Sequence, residues 1–302
     1  MRMHLLISGA SGLIGRELAS VLLASGHSVS RLVRGRPLAE NDVPWRPNVE
    51  LDPDTLKNVD VIVNLAGRSV AGRWNERVKN EIRESRIPST AALARSIAAS
   101  YQQFGRPRTF ISASAIGYYG SRGDDILTET TSPGNGFLPQ VCRDWEAATS
   151  SAGEAGVRTV TPRIAVVLSE KGGALSKMLP IFRLGLGGRI GSGHQWFSWI
   201  SLDDLTAVLA FTITNESVRG PVNASSPSPV TNAEFTRTLA AALHRPAVFP
   251  LPASVARMMF SREGADEMLL SSQRVVPSKL EELGFSFRDR DLKTSLSRLL
   301  AE

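Results

Sequence analysis

The sequence contains a single cysteine, Cys142, among 302 residues, so no internal disulfide can form. The four histidines, His4, His27, His194 and His244, make no HxxxH pair, and there is no CxxC, so a zinc site is not expected either. Both scarcities point to a reducing compartment and no metal. No apolar run approaches the roughly 20 residues needed to span a bilayer, which argues against a membrane partner. The chain enters an apolar segment at Leu5, with no room before it for a secretory signal, and a cytoplasmic location is expected. A Gly-Lys-Ser/Thr phosphate loop and a GxSxG nucleophile elbow are both missing, which excludes two further enzyme classes. The net charge of +6 invites a polyanion partner. The arginines, however, are scattered, with no basic block and no interleaved aromatics, so a small anionic ligand is favoured over nucleic acid.

What is present is glycine in one telling arrangement. Leu5-Leu6-Ile7 reads as a buried parallel strand that runs straight into Gly9, Gly12 and Gly15. Gly9 permits the tight turn, Gly12 clears space for a pyrophosphate, and Gly15 lets the next helix pack closely. Leu13, Ile14, Leu18, Val21 and Leu22 mark one face of that helix, which stops at Ser25-Gly26, and Val29 to Val33 forms a second strand. The unit reads as βαβ, with first-turn N–H groups forming an anion site. At the end of the second strand a carboxylate would select NAD through the ribose hydroxyls. This chain has Val33-Arg34 there, followed by Arg36, and a guanidinium favours the 2′-phosphate of NADP.

The alternation continues along the chain. Asp60 to Gly67 reads as a strand ending in small residues, Asn75 to Phe104 as a helical region bent near Pro88, and Thr109 to Ser114 as another strand. Residues 138–155 read as one helix, Arg158 to Leu168 as a strand, and Asp203-Asp204 as the cap of a helix through Thr214. Six or seven parallel strands result. Leu184 to Gly193 is a Gly-rich binding loop, and the tail beyond Val222 is mostly short helices with Pro-rich joints.

Gly9-Ala-Ser-Gly12-Leu-Ile-Gly15, Asn64-Leu-Ala-Gly67, Ser112 to Gly120 and Trp199 to Asp204 together resemble the extended short-chain dehydrogenases/reductases. Arg73-Trp74-Asn75, Glu81 to Arg86, Gly185 to Gly188, Gly191 to Trp196 and Pro229 to Phe235 narrow the resemblance to its atypical epimerase-family branch, across nearly the whole chain. The resemblance implies a Rossmann-type doubly wound parallel α/β sheet with a smaller, mostly helical C-terminal substrate lobe. Residues 1–170, joined by 198–224, would form the NADP-binding domain; 171–197 and 225–302 would form the lobe. It further implies NADP contacts at Gly9, Ser11, Gly12, Leu13, Ile14 and Gly15, at Val33 and Arg34, at Leu65, Ala66 and Gly67, and at Glu81 and Arg86. Ser112 and Arg163 are added as strand-end candidates for the cofactor or an anion.

The chemistry departs from the superfamily pattern. Ordinary members use a serine with a YxxxK pair, in which tyrosine transfers a proton and lysine anchors the nicotinamide ribose. Ser114 matches the serine, but Leu138 and Cys142 stand at the tyrosine and lysine positions. Tyr118 is the substitute phenol considered, with Tyr119, His194, Gln195 and Trp196 as candidate substrate contacts. Two readings are carried forward: an NADP-dependent oxidoreductase or epimerase-like protein acting on a carbinol carbon of a substrate of the phosphorylated or sugar-nucleotide kind, and an NADP-binding sensor without turnover. A monomer or homodimer is expected.

Overall fold

Leu5, Leu6 and Ile7 are all fully buried, which a strand achieves only when both faces of its sheet are covered. The computed structural model describes residues 2–301 and places this strand, β1 (His4–Ser8), in the interior of an all-parallel sheet. The first half continues with α1 (Leu13–Ala24), β2 (Ser28–Val33), β3 (Asp42–Pro44), β4 (Val61–Asn64), α2 (Glu76–Glu84), α3 (Ile87–Phe104), β5 (Thr109–Ser112) and β6 (Ser114–Ala115). There follow β7 (Ile126–Leu127), α4 (Phe137–Ala147), α5 (Ser150–Glu154), β8 (Arg158–Ile164), β9 (Val166–Leu168) and α6 (Gly173–Arg183). Next come β10 (Trp196–Phe197), β11 (Trp199–Ser201), α7 (Leu202–Thr214) and β12 (Gly220–Ala224). The remainder is β13 (Val230–Thr231), α8 (Asn232–Ala242), α9 (Ala253–Phe260), α10 (Arg262–Met268), β14 (Arg274–Val275), α11 (Ser278–Glu282) and α12 (Leu292–Leu299).

The central sheet runs β12-β8-β5-β4-β1-β2-β3, with β6 continuing beside β8. Strand order reverses between β1 and β4, and that switch point opens a crevice at their carboxyl ends. Side chains alternate across the sheet as the pleat requires. Leu5, Ile7 and Val63 pack with Leu18 and Leu22 of α1 and Leu205 and Leu209 of α7, whereas Leu6, Ile62 and Phe110 pack with Leu93 and Ile97 of α3. A separate core forms the smaller lobe, joining Leu175 and Leu179 of α6, Phe235 and Leu239 of α8, and Leu292 and Leu296 of α12 around Trp199.

Several local expectations are revised. The sheet has eight strands because β3, too short and Pro-ended to show a pattern, pairs with β2, and because the expected strand 109–114 breaks at Ala113 into β5 and β6. Ala113 still donates its N–H to the Asn64 carbonyl at 2.9 Å, the last contact with β4 before the chain moves beside β8 as β6. The expected strand 158–168 likewise breaks at Ala165, and β9 leaves the main sheet to pair with β11. The expected helix 138–155 is two helices, α4 and α5.

Helix α7 is capped by Ser201, whose hydroxyl accepts from the Asp204 N–H at 3.1 Å, not by the aspartates. Those aspartates anchor the tail instead. The Asp204 carboxylate accepts from the backbone N–H groups of Arg288 and Asp289 at 2.9 and 2.8 Å, while Arg298 bridges Asp203 at 2.7 Å and Asp289 at 2.6 Å. Burial would raise the Asp289 carboxyl, but hydrogen bonds from Arg298 outweigh it and hold the group below the usual carboxylate range. A depressed folded-state value contributes stability that is present above the unfolded carboxyl value of roughly 4 and is lost as pH falls through the folded one. Arg298→Ala leaves Asp289 buried without its partner, with an expected cost of about 3 kcal/mol at pH 7. Urea unfolding of both proteins at pH 7 and pH 3 checks this: the difference should shrink at pH 3, below the unfolded carboxyl value, where the wild type begins to lose the stability linked to its depressed carboxylate.

Candidate cofactor and substrate site

The glycine turn after β1 is a cradle that side chains would fill. A Cβ on Gly9, whose φ is +72°, would lie 2.7 Å from the Leu65 carbonyl carbon, and one on Gly15 would lie 2.7 Å from the Ala10 Cα. The turn is therefore pressed against the end of β4 with no spare room. Gly12 is exposed, begins α1 without a capping side chain, and has no acidic residue in the following turn. The first N–H groups of a 12-residue helix are thus left facing the crevice, as an anion requires. Ser11 is exposed, and Leu13 and Ile14 are half-buried beside it.

Val33 ends β2, and Arg34 is exposed beyond it. Next to them lies an open cavity of 410 Å³ lined by Gly35, Arg36, Pro44, Trp45 and Arg46. Trp45 is buried, with its indole donating to the Val49 carbonyl at 2.8 Å. Arg46 and Trp45 escape the sequence reading because they follow β3, whose three residues carry no legible period. A cation placed a dozen residues after Arg34 was the only available signal.

At the end of β4, Asn64 is the hub of a buried network. It accepts from Ser8 Oγ at 2.5 Å and donates to Thr90 and Ser112 hydroxyls at 2.9 and 3.2 Å. Ser112, expected at the cofactor, is fully buried and spent on this network. The chain then emerges as Leu65, Ala66 and exposed Gly67. Arg86 steers that exit: its guanidinium donates to the Arg68 carbonyl at 2.8 Å, lies 5.0 Å over the Trp145 ring, and would be 3.2 Å from a Cβ on Gly67. Glu81 is paired with Arg77 at 2.8 Å and Arg68 at 2.9 Å, and the Arg77 hydrogen bond holds its carboxyl below the ordinary value.

The residues around β6 form a second network. Ser114 is 2 % exposed and donates to Glu146 Oε1 at 2.6 Å. Arg163 grips both oxygens of the same carboxylate, at 2.8 and 2.9 Å, and donates to the Tyr119 hydroxyl at 3.0 Å. Burial would lower the Arg163 guanidinium, but the bidentate Glu146 contact outweighs this and raises it. Arg163 therefore holds α4 to β8 and is not open to a cofactor or substrate anion, contrary to expectation. Tyr119 is also removed from the substrate: it is fully buried, donates to Asn223 Oδ1 at 2.6 Å, and burial pushes its phenol up to about 12. Tyr118 is different. It is half-buried, its ring lies 3.5 Å from the Arg163 guanidinium carbon, and its hydroxyl has no hydrogen-bond partner among the described residues.

Leu138 packs against the turn after β6, where it would lie 3.3 Å from a Cβ on Gly117. Cys142 is buried on α4, and burial pushes its thiol up to about 12. Neither residue supplies a base or a cation. Arg86, at the start of α3, is near enough to act on Cys142 electrostatically, so a positive charge stands beside the position that lacks the lysine.

Between the carboxyl ends of β6 and β8 and the smaller lobe lies a partly enclosed cavity of 40 Å³, bordered by Ile116, Val166, Trp196, Asn232, Met268 and Ser271. Gln195 reaches it too but is buried, with its amide nitrogen donating to the Ile190 and Leu269 carbonyls at 3.0 and 3.1 Å. The Trp196 indole donates to Asp124 at 2.7 Å, and the Arg274 guanidinium sits 4.3 Å from its ring centre. His194 is exposed and stays outside the cavity. Among the described residues no group of three or more His, Cys, Asp and Glu side chains is placed to hold a metal, and no helix is long and apolar enough to cross a membrane.

A doubly wound sheet with a glycine cradle at its switch point and a helical lobe over its carboxyl edge defines an extended short-chain dehydrogenase/reductase. Residues 5–224 match the NAD dependent epimerase/dehydratase family, and residues 251–299 match a domain of unknown function, DUF1731. The chain is 44% identical over 292 residues to Epimerase family protein MT2273 of Mycobacterium tuberculosis, covering 96% of this chain and 95% of that one. It is 38% identical over 307 residues to the human Epimerase family protein SDR39U1, covering 99% and 100%. The crystal structure of human SDR39U1 (isoform 2) with NADPH superimposes with a TM-score of 0.90 at 34% identity, covering 99% of this chain and all of that one. A UDP-N-acetylglucosamine 4-epimerase from Bacillus cereus shares the fold, with a TM-score of 0.76 at 15% identity over 98% of each chain. The chain belongs to the NAD dependent epimerase/dehydratase family, in its epimerase-family-protein branch.

A buried thiol with so high a pKa should be inert. At pH 8 the folded protein is expected to leave Cys142 unmodified by iodoacetamide, whereas urea-unfolded protein is modified fully, as read by intact mass. Rapid labelling of the folded chain would contradict the burial of α4.

Proposed function

We propose that the protein is an NADP-dependent oxidoreductase that transfers hydride at a carbonyl or carbinol carbon. The observation that carries this reading is the side-chain-free cradle of Gly9, Gly12 and Gly15 beside a guanidinium-lined cavity. The cradle fits a pyrophosphate because the α1 N-terminus is uncapped and no carboxylate stands in its first turn. Arg34, Arg36 and Arg46 suit the doubly charged 2′-phosphate, since each guanidinium is exposed and free to make forked contacts. The NADPH bound by the human relative is in keeping with this choice. Leu65, Ala66 and Gly67 form the floor under the rest of the dinucleotide, and Arg86 supplies the charge that the missing lysine would have provided.

When bound, NADPH would supply the hydride from its nicotinamide ring. The protein's part is to orient a substrate oxygen and manage one proton. Tyr118 is the group left free for that proton, because Ser114 already donates its own to Glu146 and Tyr119 is closed off. The loss of the YxxxK pair to Leu138 and Cys142 favours a second reading, an NADP-binding sensor that turns over slowly or not at all.

Calorimetric titration with NADPH and NADH tests the cofactor. Tighter binding of NADPH is expected, with Arg34→Glu removing the margin and Arg46→Ala reducing it by about tenfold, the value of one charged contact to phosphate. Equal affinities in the wild type would end the NADP assignment. Tyr118→Phe is expected to lower substrate-dependent NADPH oxidation by about a hundredfold while leaving NADPH affinity alone, as for a lost acid–base group. Full activity of Tyr118→Phe would remove it from the reaction, and absence of turnover with every carbonyl compound would favour the sensor.

A further inference from the structure

We propose that an apolar face of the smaller lobe, flanked by cations, rests on an anionic lipid bilayer. The face is built from the Gly-rich segment after α6 and the Pro-rich segment before α9, neither of which the cofactor reading uses. Backbone hydrogen bonds join the two: the Phe249 N–H donates to the Gly187 carbonyl at 3.2 Å, Leu251 to Arg189 at 2.9 Å, and Gly191 to Leu251 at 2.9 Å. Glycine is required at the join. A Cβ on Gly188 would run into the Phe249 carbonyl, and one on Gly187 would lie 2.6 Å from the Phe182 ring.

Leu179 and Phe182 of α6 point into the core of the lobe. Ile181, Leu184 and Leu186 on the first segment, and Val248 and Phe249 on the second, are exposed instead and take no part in that core. The Leu186 N–H donates to the Ile181 carbonyl at 3.1 Å and Leu186 bridges to Ala247, which draws these side chains onto one face. They are five of the eleven large apolar side chains exposed among the described residues, a concentration that marks an interaction surface.

Charge decides what that surface meets. Residues 171–202 and 235–262 contain no aspartate or glutamate. Lys177 is exposed one turn before Ile181 on α6, and Arg245 and Arg189 donate to neutral carbonyls, those of Arg183 at 2.9 Å and Ser192 at 2.5 Å. Of the acids that border these stretches, Glu170 pairs with Arg183 at 2.7 Å, Glu263 pairs with Lys79 at 2.9 Å, and Glu234 lies in the first turn of α8. Apolar side chains flanked by uncompensated cations complement a surface that is anionic outside and apolar beneath. A second copy would set the same cations against one another. An acidic peptide would need a groove, whereas Leu184, 73 % exposed, and Val248, 68 % exposed, stand out from their surroundings. A fluid bilayer accepts such protruding side chains, and a protein with no helix able to cross it, among the described residues, would touch it from one side.

Flotation of the full chain with phosphatidylcholine vesicles, alone or carrying about 30 % phosphatidylglycerol, tests the proposal. Binding to the anionic vesicles is expected to be about tenfold or more tighter than to the neutral ones, and to weaken in high salt. Leu184→Ser combined with Phe249→Ser should weaken it by about tenfold through lost apolar burial, and Lys177→Gln by about fivefold. Leu23→Ser, at a comparably exposed apolar position on α1, should change nothing. Thermal midpoints equal to that of the wild type would show that the variants are folded. No vesicle binding, equal binding to neutral vesicles, or indifference to the double apolar variant would each overturn the proposal, the last by reducing the contact to general attraction between a basic protein and anionic lipid. A dimer in sedimentation runs without vesicles that the double variant dissociates would give the face to a second copy, and tighter binding of an acidic amphipathic peptide than of vesicles would give it to a protein partner; either result overturns the lipid assignment.

Discussion

The contact between Gly9 and the Leu65 carbonyl is the constraint on which the rest of the molecule turns. The turn from β1 into α1 can press against the end of β4 only if it carries no side chain there, because a Cβ at Gly9 would overlap backbone that cannot move aside. The same closeness aligns α1 so that its N-terminus points into the crevice. It also brings Leu65, Ala66 and Gly67 alongside as a floor. One missing methyl group thus lets the turn, the N-terminus of α1 and the chain leaving β4 meet at the switch point.

Around this cradle the strand ends are locked by polar groups that face inward. Asn64 ties β1, β4, β5 and α3 together, and Trp145 joins from α4 through Thr90 at 3.0 Å. The Glu146 and Arg163 pair does the same for β6, α4 and β8, with Tyr119 and Asn223 extending it to β12. Every member is satisfied, so the networks stabilise one arrangement rather than a choice of several. Their rigidity has a chemical consequence: the hydroxyls most easily mistaken for reactive groups are already used. What remains free at the carboxyl edge is sparse, chiefly the Tyr118 phenol, while the Ser271 hydroxyl is unpaired but buried.

The sheet and its order of helices were largely legible, because buried parallel strands and amphipathic helices leave different periods in the sequence. Gly9, Gly12, Gly15, Val33, Arg34, Leu65, Ala66 and Gly67 gather at the crevice because they flank those strands. Strand β3 was not legible, since three residues ending in proline carry no period, and with it went Trp45 and Arg46. The strand breaks at Ala113 and Ala165 were hidden for a related reason: each marks a change of partner strand, to β8 for β6 and to β11 for β9. Asp203 and Asp204 looked like a cap, and their true partners lie some 85 residues away in the tail.

By itself the sequence determined the fold class, the cradle and the cationic end of β2, because each rests on residues adjacent in the chain or on one regular period. Only the tertiary structure decided which side chains are free. Ser112, Ser114, Tyr119 and Arg163 have the right chemistry for a site, yet burial and partners from other elements consume it. Ser271, which no local pattern singles out, is left unpaired where the two lobes meet. Availability of a polar group depends on what surrounds it in space, and that is fixed only when distant segments pack.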